Sequence, residues 1–224
     1  MFQGWSFFSQ PDSADIGADK GHTANAQPSG LVGSTKVATS RGWIAAGDLK
    51  AGDLVLTFDA GLQTVTQVTR ETPWSEAGHC PKALWPLEVP AGAFGNDRPF
   101  FLLGGQNIMV ESDAAEDMFG DPFSIIPASA LQGVRQIEKA PPKDAMEIVH
   151  IYFADEQVVF GEFGALYLCP SSLDVVELAF EGARDPLYSI LPPAEAQIVA
   201  SALRADMCSF SGEMPLYARD AVYA

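Results

Sequence analysis

Residues 30–61 read GLVGSTKVATSRGWIAAGDLKAGDLVLTFDAG, and this stretch decides the fold class. Its short apolar runs are separated by turn signals, namely the Arg41–Gly42 pair and two Gly-Asp pairs. The next stretch, LQTVTQVTRET at 62–72, alternates apolar and polar residues and is rich in Val and Thr. A period of two residues predicts one continuous strand here, and closely spaced short strands predict an all-β domain.

Later segments add strands and a few helices. AMEIVHIYFADEQVVFGEFGALYLCP at 145–170 alternates strongly, which predicts a long hairpin that turns at ADEQ. SDAAEDMFG at 112–120 and PASALQG at 127–133 predict single helical turns. PPAEAQIVASALRA at 192–205 predicts a helix with Ile198, Val199 and Leu203 on one apolar face.

The composition divides the chain into three parts. Residues 1–28 combine an aromatic run, FQGWSFF, with a small and polar linker, and 29–180 form the predicted β domain. Residues 181–224 form a C-terminal extension that carries the predicted helix. Aromatic residues near a chain end often dock on a surface, so we expect a protein partner through FQGWSFF. The oligomeric state stays open.

The charge excludes several classes of partner. The net charge is −16, from 13 basic and 29 acidic residues, which argues against nucleic acid and against anionic membranes. No apolar run reaches the roughly 18 residues of a membrane-spanning helix. MFQGWSFFSQ lacks the features of a Sec signal. We therefore expect a cytoplasmic protein, and secretion without an N-terminal signal remains the alternative.

The cysteines and histidines do not form a recognisable site. Cys80, Cys169 and Cys208 are too few and too widely spaced for a disulfide framework. His79 precedes Cys80 directly, and neighbouring residues of a strand point to opposite faces, so they make a poor metal pair. No phosphate-binding glycine loop is present. We therefore expect neither a metal nor a cofactor.

The opening block resembles a known family. STKVATSRGWIAAGDLKAGDLVLTFDAGLQTV at 34–65 is similar to the start of Hint domains, the self-processing modules of inteins and Hedgehog proteins, and most similar to the bacterial Hint-type subgroup. The subgroup's pattern begins Cys-Phe-x-x-Gly-Thr and continues with Leu-x-x-Gly-Asp. The residues that fill it are Thr35, Val37, Thr39, Gly42, Leu49, Gly52, Asp53, Val55, Thr57, Asp59 and Gly61.

Two further blocks follow in the same order. VPAGAFGNDRPFFLLGGQNIMVES with FGDPFSIIPASAL resembles the middle block, and EIVHIYFADEQVVFGEFG resembles the late block. The resemblance spans roughly residues 30–175. It implies a compact, horseshoe-like all-β Hint fold with pseudo-twofold related halves, a few short helices and, in this chain, one C-terminal helix.

The resemblance also implies a chemistry and the positions that would perform it. Hint domains begin with an acyl shift in which a Cys or Ser attacks the preceding carbonyl, while a His assists the departing amide nitrogen. Here the nucleophile position falls on Gly30, the middle-block His position on Asn107, and the late-block His position on Gln157. Glycine has no attacking atom, and amides do not exchange protons near neutral pH.

Other residues of the region have weaker roles. Ser29 precedes Gly30 and would become the nucleophile only if the register slipped by one residue. His150 lies in the late block, either as a strand residue bonded within the sheet or as a residue lining the old cleft. We interpret Asp53 and Asp59 as turn residues that accept from backbone N–H groups.

Three functions are compatible with these residues. The first is a Hint-like domain that has lost autoproteolysis and serves as a scaffold or binding module. The second is a self-processing protein with an altered nucleophile. The third is a cleft reused for a small ligand. An intact chain that persists would favour the first over the second, and an occupied cleft would favour the third.

Overall fold

The computed structural model describes residues 27–172 and 187–205. The aromatic segment FQGWSFF and Cys208 lie outside these residues, so the partner expected through that segment stays a prediction. Within the described residues the chain is mostly β-strand, with two α-helices, one of them C-terminal. This architecture confirms the all-β fold class with a few short helices.

The described part of the chain contains fourteen strands. In chain order they are β1 (Leu31–Val32), β2 (Lys36–Thr39), β3 (Gly42–Ala45), β4 (Leu54–Thr57), β5 (Gly61–Thr64), β6 (Gln67–Glu71), β7 (Leu87–Val89), β8 (Phe100–Leu102), β9 (Asn107–Glu111), β10 (Phe123–Pro127), β11 (Glu138–Lys139), β12 (Ile148–Tyr152), β13 (Gln157–Phe160) and β14 (Leu166–Cys169).

The strands form three sheets. The largest has eight strands in the order β10-β9-β14-β13-β4-β2-β3, with β5 paired to β4. The second has the order β1-β12-β6, and the third has the order β11-β7-β8. Every pairing between these strands is antiparallel.

The continuous strand predicted at 62–72 is wrong, because the chain changes sheets in its middle. β5 pairs with β4 in the large sheet, whereas β6 pairs with β12 in the second sheet. At the change, Val65 is buried and its N–H donates to the Asp53 carbonyl, while the Thr66 N–H donates to the Tyr152 carbonyl at 2.8 Å. Burial does not alternate through the change, because Val65 is buried whereas Thr66 and Gln67 are both exposed.

The long hairpin predicted at 145–170 is also wrong in its first half. β12 lies between β1 and β6, so both of its edges are already paired and β13 cannot join it. β13 instead enters the large sheet, where it pairs with β14 and contacts β4. The ADEQ turn signal at 154–157 therefore marks a crossing between two sheets.

Both α-helices of the described residues contribute side chains to the hydrophobic core. α1 (Asp113–Phe119) begins after Ser112, and α2 (Pro193–Ala205) occupies the predicted helical stretch. PASALQG forms a 3₁₀ turn at Ala128–Leu131. The residues of α2 that are buried in the main hydrophobic core are Ala196, Val199, Ala200 and Leu203.

The apolar face predicted for α2 is partly wrong. Ile198 is 50% exposed, because the buried residues follow the i, i+3, i+4, i+7 spacing from Ala196, a face partly made of alanines. Neither helix of the described residues is long and apolar enough to span a membrane.

Candidate functional site

The predicted junction residues meet at one cleft. A cavity of about 260 Å³ is lined by Ser29, Gly30, Asn107 and His150 among other residues. Ser29 and Gly30 lie where the chain enters β1, Asn107 begins β9, and His150 is the central residue of β12. Gln157 does not line this cleft. Two sheets therefore bring together four of the five residues that the sequence selected.

Gly30 is held in a conformation and a space that suit only glycine. Its φ angle is +99°, in the region that L side chains rarely adopt. A Cβ built on it would lie 2.9 Å from Ile148 Cγ2, 3.0 Å from the Val149 carbonyl oxygen and 3.2 Å from His150 Cε1. The strand β12 thus fills the volume that a nucleophilic side chain would need.

Gln106 fixes the peptide at this junction, and the sequence analysis missed it. The Gly30 N–H donates to Gln106 Oε1 at 3.0 Å, and Gln106 Nε2 donates to the carbonyls of Asn107 and Leu168, each at 2.8 Å. Because the Gly30 N–H can only donate and the carbonyls can only accept, these partners fix the amide orientation. The Gln106 side chain is 4% exposed.

The three hydrogen bonds of Gln106, which we call the Gln106 clamp, affect the chemistry of the junction. The nitrogen of the junction peptide would be the leaving group in an acyl shift, and it must gain a proton when it leaves. It faces the oxygen of Gln106, which is an acceptor. In the sequence, Gln106 is marked only as one of two polar residues, Gln106 and Asn107, that follow two glycines. The resemblance to Hint domains assigns a chemical position to Asn107 alone.

His150 lies beside the empty nucleophile position. Its Nε2 is 3.7 Å from Glu71 Oε1, and its ring stacks on Tyr152 with centroids 6.4 Å apart. The imidazole therefore lies beside the Glu71 carboxylate and the Tyr152 ring of its own sheet. The 3.7 Å separation from Glu71 is longer than a hydrogen bond, so the structure supports the interpretation in which His150 lines the cleft.

Glu156, the neighbour of Gln157, is another late-block residue that lines the cleft. Gln157 is buried in β13, opposite Cys169 in the register with β14. Glu156 Oε2 accepts from the backbone N–H groups of Leu187 and Tyr188, at 3.1 and 3.4 Å. Its carboxylate therefore fastens the later chain segment against the cleft.

Cys169 also lines the cleft but is not activated. It is fully buried, and burial raises the pKa of its thiol to about 12. Attack requires the thiolate. At neutral pH this residue is a protonated, structural thiol, as the sequence suggested.

The residues that precede the junction pack against the backbone of Gly104 and Gly105. The Gly105 N–H donates to the Pro28 carbonyl at 2.9 Å, and Gln27 Nε2 donates to the Ala83 carbonyl at 2.9 Å. A Cβ on Gly104 would lie 2.8 Å from Gln27 Oε1. Residues 27–29 therefore approach the backbone of 104–105 more closely than any side chain there would allow.

Asp53 and Asp59, the two aspartates that the sequence interpreted as turn residues, have structural partners. Asp53 Oδ2 accepts from the Lys50 N–H at 2.9 Å, and its Oδ1 lies 2.7 Å from Arg41 Nη2. Asp59 Oδ2 accepts from the Tyr188 hydroxyl at 2.6 Å. Among the described residues there is no group of three or more His, Cys, Asp and Glu side chains arranged to hold a metal ion.

Comparison with known proteins gives one family match. The sequence model of one protein family, whose description is "Hint domain", matches residues 30–166. This range is more than half of the chain. A search of curated proteins found no match.

Several solved structures are similar to the chain. The bacterial intein-like domain from Clostridium thermocellum has 15% identity and a TM-score of 0.43, covering 65% of this chain and 100% of that chain. A variant of the MchDnaB-1 intein has 13% identity and a TM-score of 0.37, covering 63% and 99%. A splice-inactive variant of the AceL NrdHF class 3 split intein has 16% identity and a TM-score of 0.38, covering 64% and 98%.

Proposed function

The chain belongs to the Hint domain family, and from that premise we propose that it no longer cleaves itself and serves as a folded scaffold or binding module. The observation that carries this proposal is the geometry at Gly30. That residue offers no nucleophile, and Ile148, Val149 and His150 fill the space in which one would stand.

Two further contacts support the loss of cleavage. The leaving nitrogen faces an acceptor, the Gln106 oxygen at 3.0 Å. The nearest cysteine of the cleft, Cys169, is a protonated thiol at neutral pH because burial raises its pKa. The reaction thus lacks an attacking atom and a proton donor at its required positions.

The test is the mass of the purified full-length protein over time. We expect one intact species after prolonged incubation with dithiothreitol, which cleaves thioesters, or with hydroxylamine, which cleaves both thioesters and oxygen esters. Fragments that separate at the 28–29 bond would support the alternative, an altered nucleophile at Ser29, because that hydroxyl would attack the preceding carbonyl of Pro28. The variant Ser29→Ala would then stop the cleavage if Ser29 attacks.

As a scaffold, the domain would present its N-terminal segment instead of releasing it. Residues 27–29 are anchored through Pro28 and Gln27, so an uncleaved chain would keep the aromatic segment FQGWSFF covalently attached to the domain. Deleting residues 1–10 should leave the melting temperature of the domain unchanged and abolish binding to its protein partner. A reducing compartment such as the cytoplasm suits the free thiols of Cys80 and Cys169.

A second candidate function is a reused cleft. The cavity of about 260 Å³ beside the junction exposes polar groups of Asn107, His150 and Glu156 to a small ligand. A metabolite screen read by thermal shift tests this function. A shift abolished by His150→Ala but not by the matched change of exposed His79→Ala would favour it, and no shift in the screen would count against it.

A further inference from the structure

Residues 187–191 border the junction cleft, and we call them the strap. Ile190 lines the cleft, and the strap continues through Pro192 into α2. Its backbone runs along β10, the edge strand of the large sheet. There Ile190 forms a parallel bridge with Ile125, and the Leu191 N–H donates to the Ile125 carbonyl at 2.9 Å. The strap therefore contacts both the edge of the large sheet and the cleft.

Two carboxylates hold the N-terminal end of the strap. Glu156 Oε2 accepts from the N–H groups of Leu187 and Tyr188, at 3.1 and 3.4 Å. Asp59 Oδ2 accepts from the Tyr188 hydroxyl at 2.6 Å. Burial and the hydrogen bond to Asp59 raise the pKa of the Tyr188 hydroxyl, so it remains a donor at neutral pH. The attachment of this end thus depends on a few discrete polar contacts.

Apolar burial contributes little at the same end. Leu187 is 66% exposed and Ile190 is 44% exposed, although both are large apolar residues. The half-buried Tyr188 ring packs against one cluster of the large sheet, formed by Met109, Ile125, Val158 and Leu168. Leu191, at the other end, packs against the main hydrophobic core. Segments with few buried apolar contacts and exposed hydrogen bonds open at a lower free energy than the whole domain.

We propose that the strap gates the junction cleft by opening locally, with Leu191 as the hinge. Opening breaks the hydrogen bonds of Leu187 and Tyr188 and moves Ile190 out of the cleft wall. The closed cleft, at about 260 Å³, is smaller than the roughly 300–1,000 Å³ of pockets for drug-sized ligands. Opening therefore widens the cleft and leaves the Glu156 carboxylate free to bind an incoming group.

This proposal rests on the second candidate function, because it states how a ligand would enter a reused cleft. The opening itself is measured on the ligand-free protein. A metabolite screen without a hit and a strap that does not open are therefore separate results, and each contradicts a different claim.

Hydrogen exchange of the full-length protein, resolved to single amides, tests the local opening. We expect the Leu187 and Tyr188 amides to be protected, yet to exchange faster than the amides of β9 in the large sheet. Exchange as slow as in β9 would show that the strap opens only when the domain unfolds, and would overturn the proposal. Exchange at the rate of an unprotected amide would also overturn it, since the strap would then not be closed.

The hydrogen bond between Tyr188 and Asp59 provides a matched set of variants. Tyr188→Phe and Asp59→Ala remove the same bond, so each should speed exchange at the Leu187 amide by roughly 3- to 10-fold, the scale of one exposed hydrogen bond. The double variant should exchange no faster than either single variant. Glu138→Ala, at an exposed carboxylate that also accepts one side-chain bond, is the control and should change nothing. Additive effects, or equal acceleration in β9, would refute the assigned contact.

Modification of His150 by diethylpyrocarbonate tests whether the opening reaches the cleft. His150 lines the cleft, whereas His79 is exposed outside it and serves as the internal reference. In Tyr188→Phe, which changes no residue of the cleft lining, we expect faster modification at His150 and an unchanged rate at His79. If exchange at Leu187 accelerates while the His150 rate stays the same, the strap opens without gating the cleft and the proposal is wrong.

Discussion

Replacing Gly30 by alanine tests whether the junction has closed around a glycine. The methyl group would be forced into a left-handed residue, at a cost of about 1–2 kcal/mol. It would also lie 2.9 Å from Ile148 Cγ2 and 3.0 Å from the Val149 carbonyl oxygen. Overpacking of this kind costs about 1–3 kcal/mol. Together the two terms lower the free energy of unfolding by about 2–5 kcal/mol.

A matched glycine isolates the steric part. Gly52 has nearly the same φ angle, +94°, but a Cβ there would meet nothing within 4 Å. Gly52→Ala should therefore cost only the backbone term, about 1–2 kcal/mol. The difference between the two variants measures how tightly β12 fills the nucleophile position.

Urea denaturation followed by tryptophan fluorescence supplies the measurement. With an m-value of about 2 kcal/mol/M, Gly30→Ala should lower the midpoint by about 1–2.5 M, and Gly52→Ala by about 0.5–1 M. If the two variants lost the same stability within about 0.5 kcal/mol, the position would have room for a side chain. The claim that β12 has closed the site would then be wrong.

Three further predictions concern the clamp, the buried thiol and the C-terminal helix. Gln106→Leu should lower the free energy of unfolding by about 2–4 kcal/mol, because buried groups around Gly30 lose their partner; a loss no larger than that of Gln132→Leu, at an exposed glutamine, would contradict the clamp. The raised pKa of Cys169 means that its buried, protonated thiol contributes stability that is fully present below about pH 9 and is lost as the pH rises toward 12. The stability difference between the wild type and Cys169→Ala should therefore shrink across that interval in urea titrations, and a difference that is constant with pH would refute it. On α2, Leu203→Ala should cost about 2–5 kcal/mol and Ile198→Ala less than about 0.5 kcal/mol in the same assay; equal losses would reverse the assigned face.

The sequence predicts correctly those elements whose signals come from residues close together in the chain. The turns around Gly42 and Gly52, the helix α2 and the strands of the opening block follow from turn chemistry and periodicity. The two sheet changes, at Val65 and at 153–156, were not predictable in this way. The partner of a strand depends on which edges are free in three dimensions, and alternation carries no information about that.

The candidate site shows the same division. The resemblance assigned the chemical positions to Gly30, Asn107 and Gln157; Gly30 and Asn107 line one cleft with Ser29 and His150, whereas Gln157 does not line it. It did not identify Gln106, because a buried glutamine that bonds three backbone groups has no sequence signature beyond its neighbours.

The central claim is that the peptide bond between Ser29 and Gly30 stays whole. Intact mass spectrometry of the full-length chain, taken daily at 37 °C with and without hydroxylamine, tests it most directly. We expect one species with the mass of all 224 residues, unchanged by the added hydroxylamine. Accumulation of a fragment that begins at Ser29 or at Gly30, faster with hydroxylamine, would refute the loss of self-cleavage.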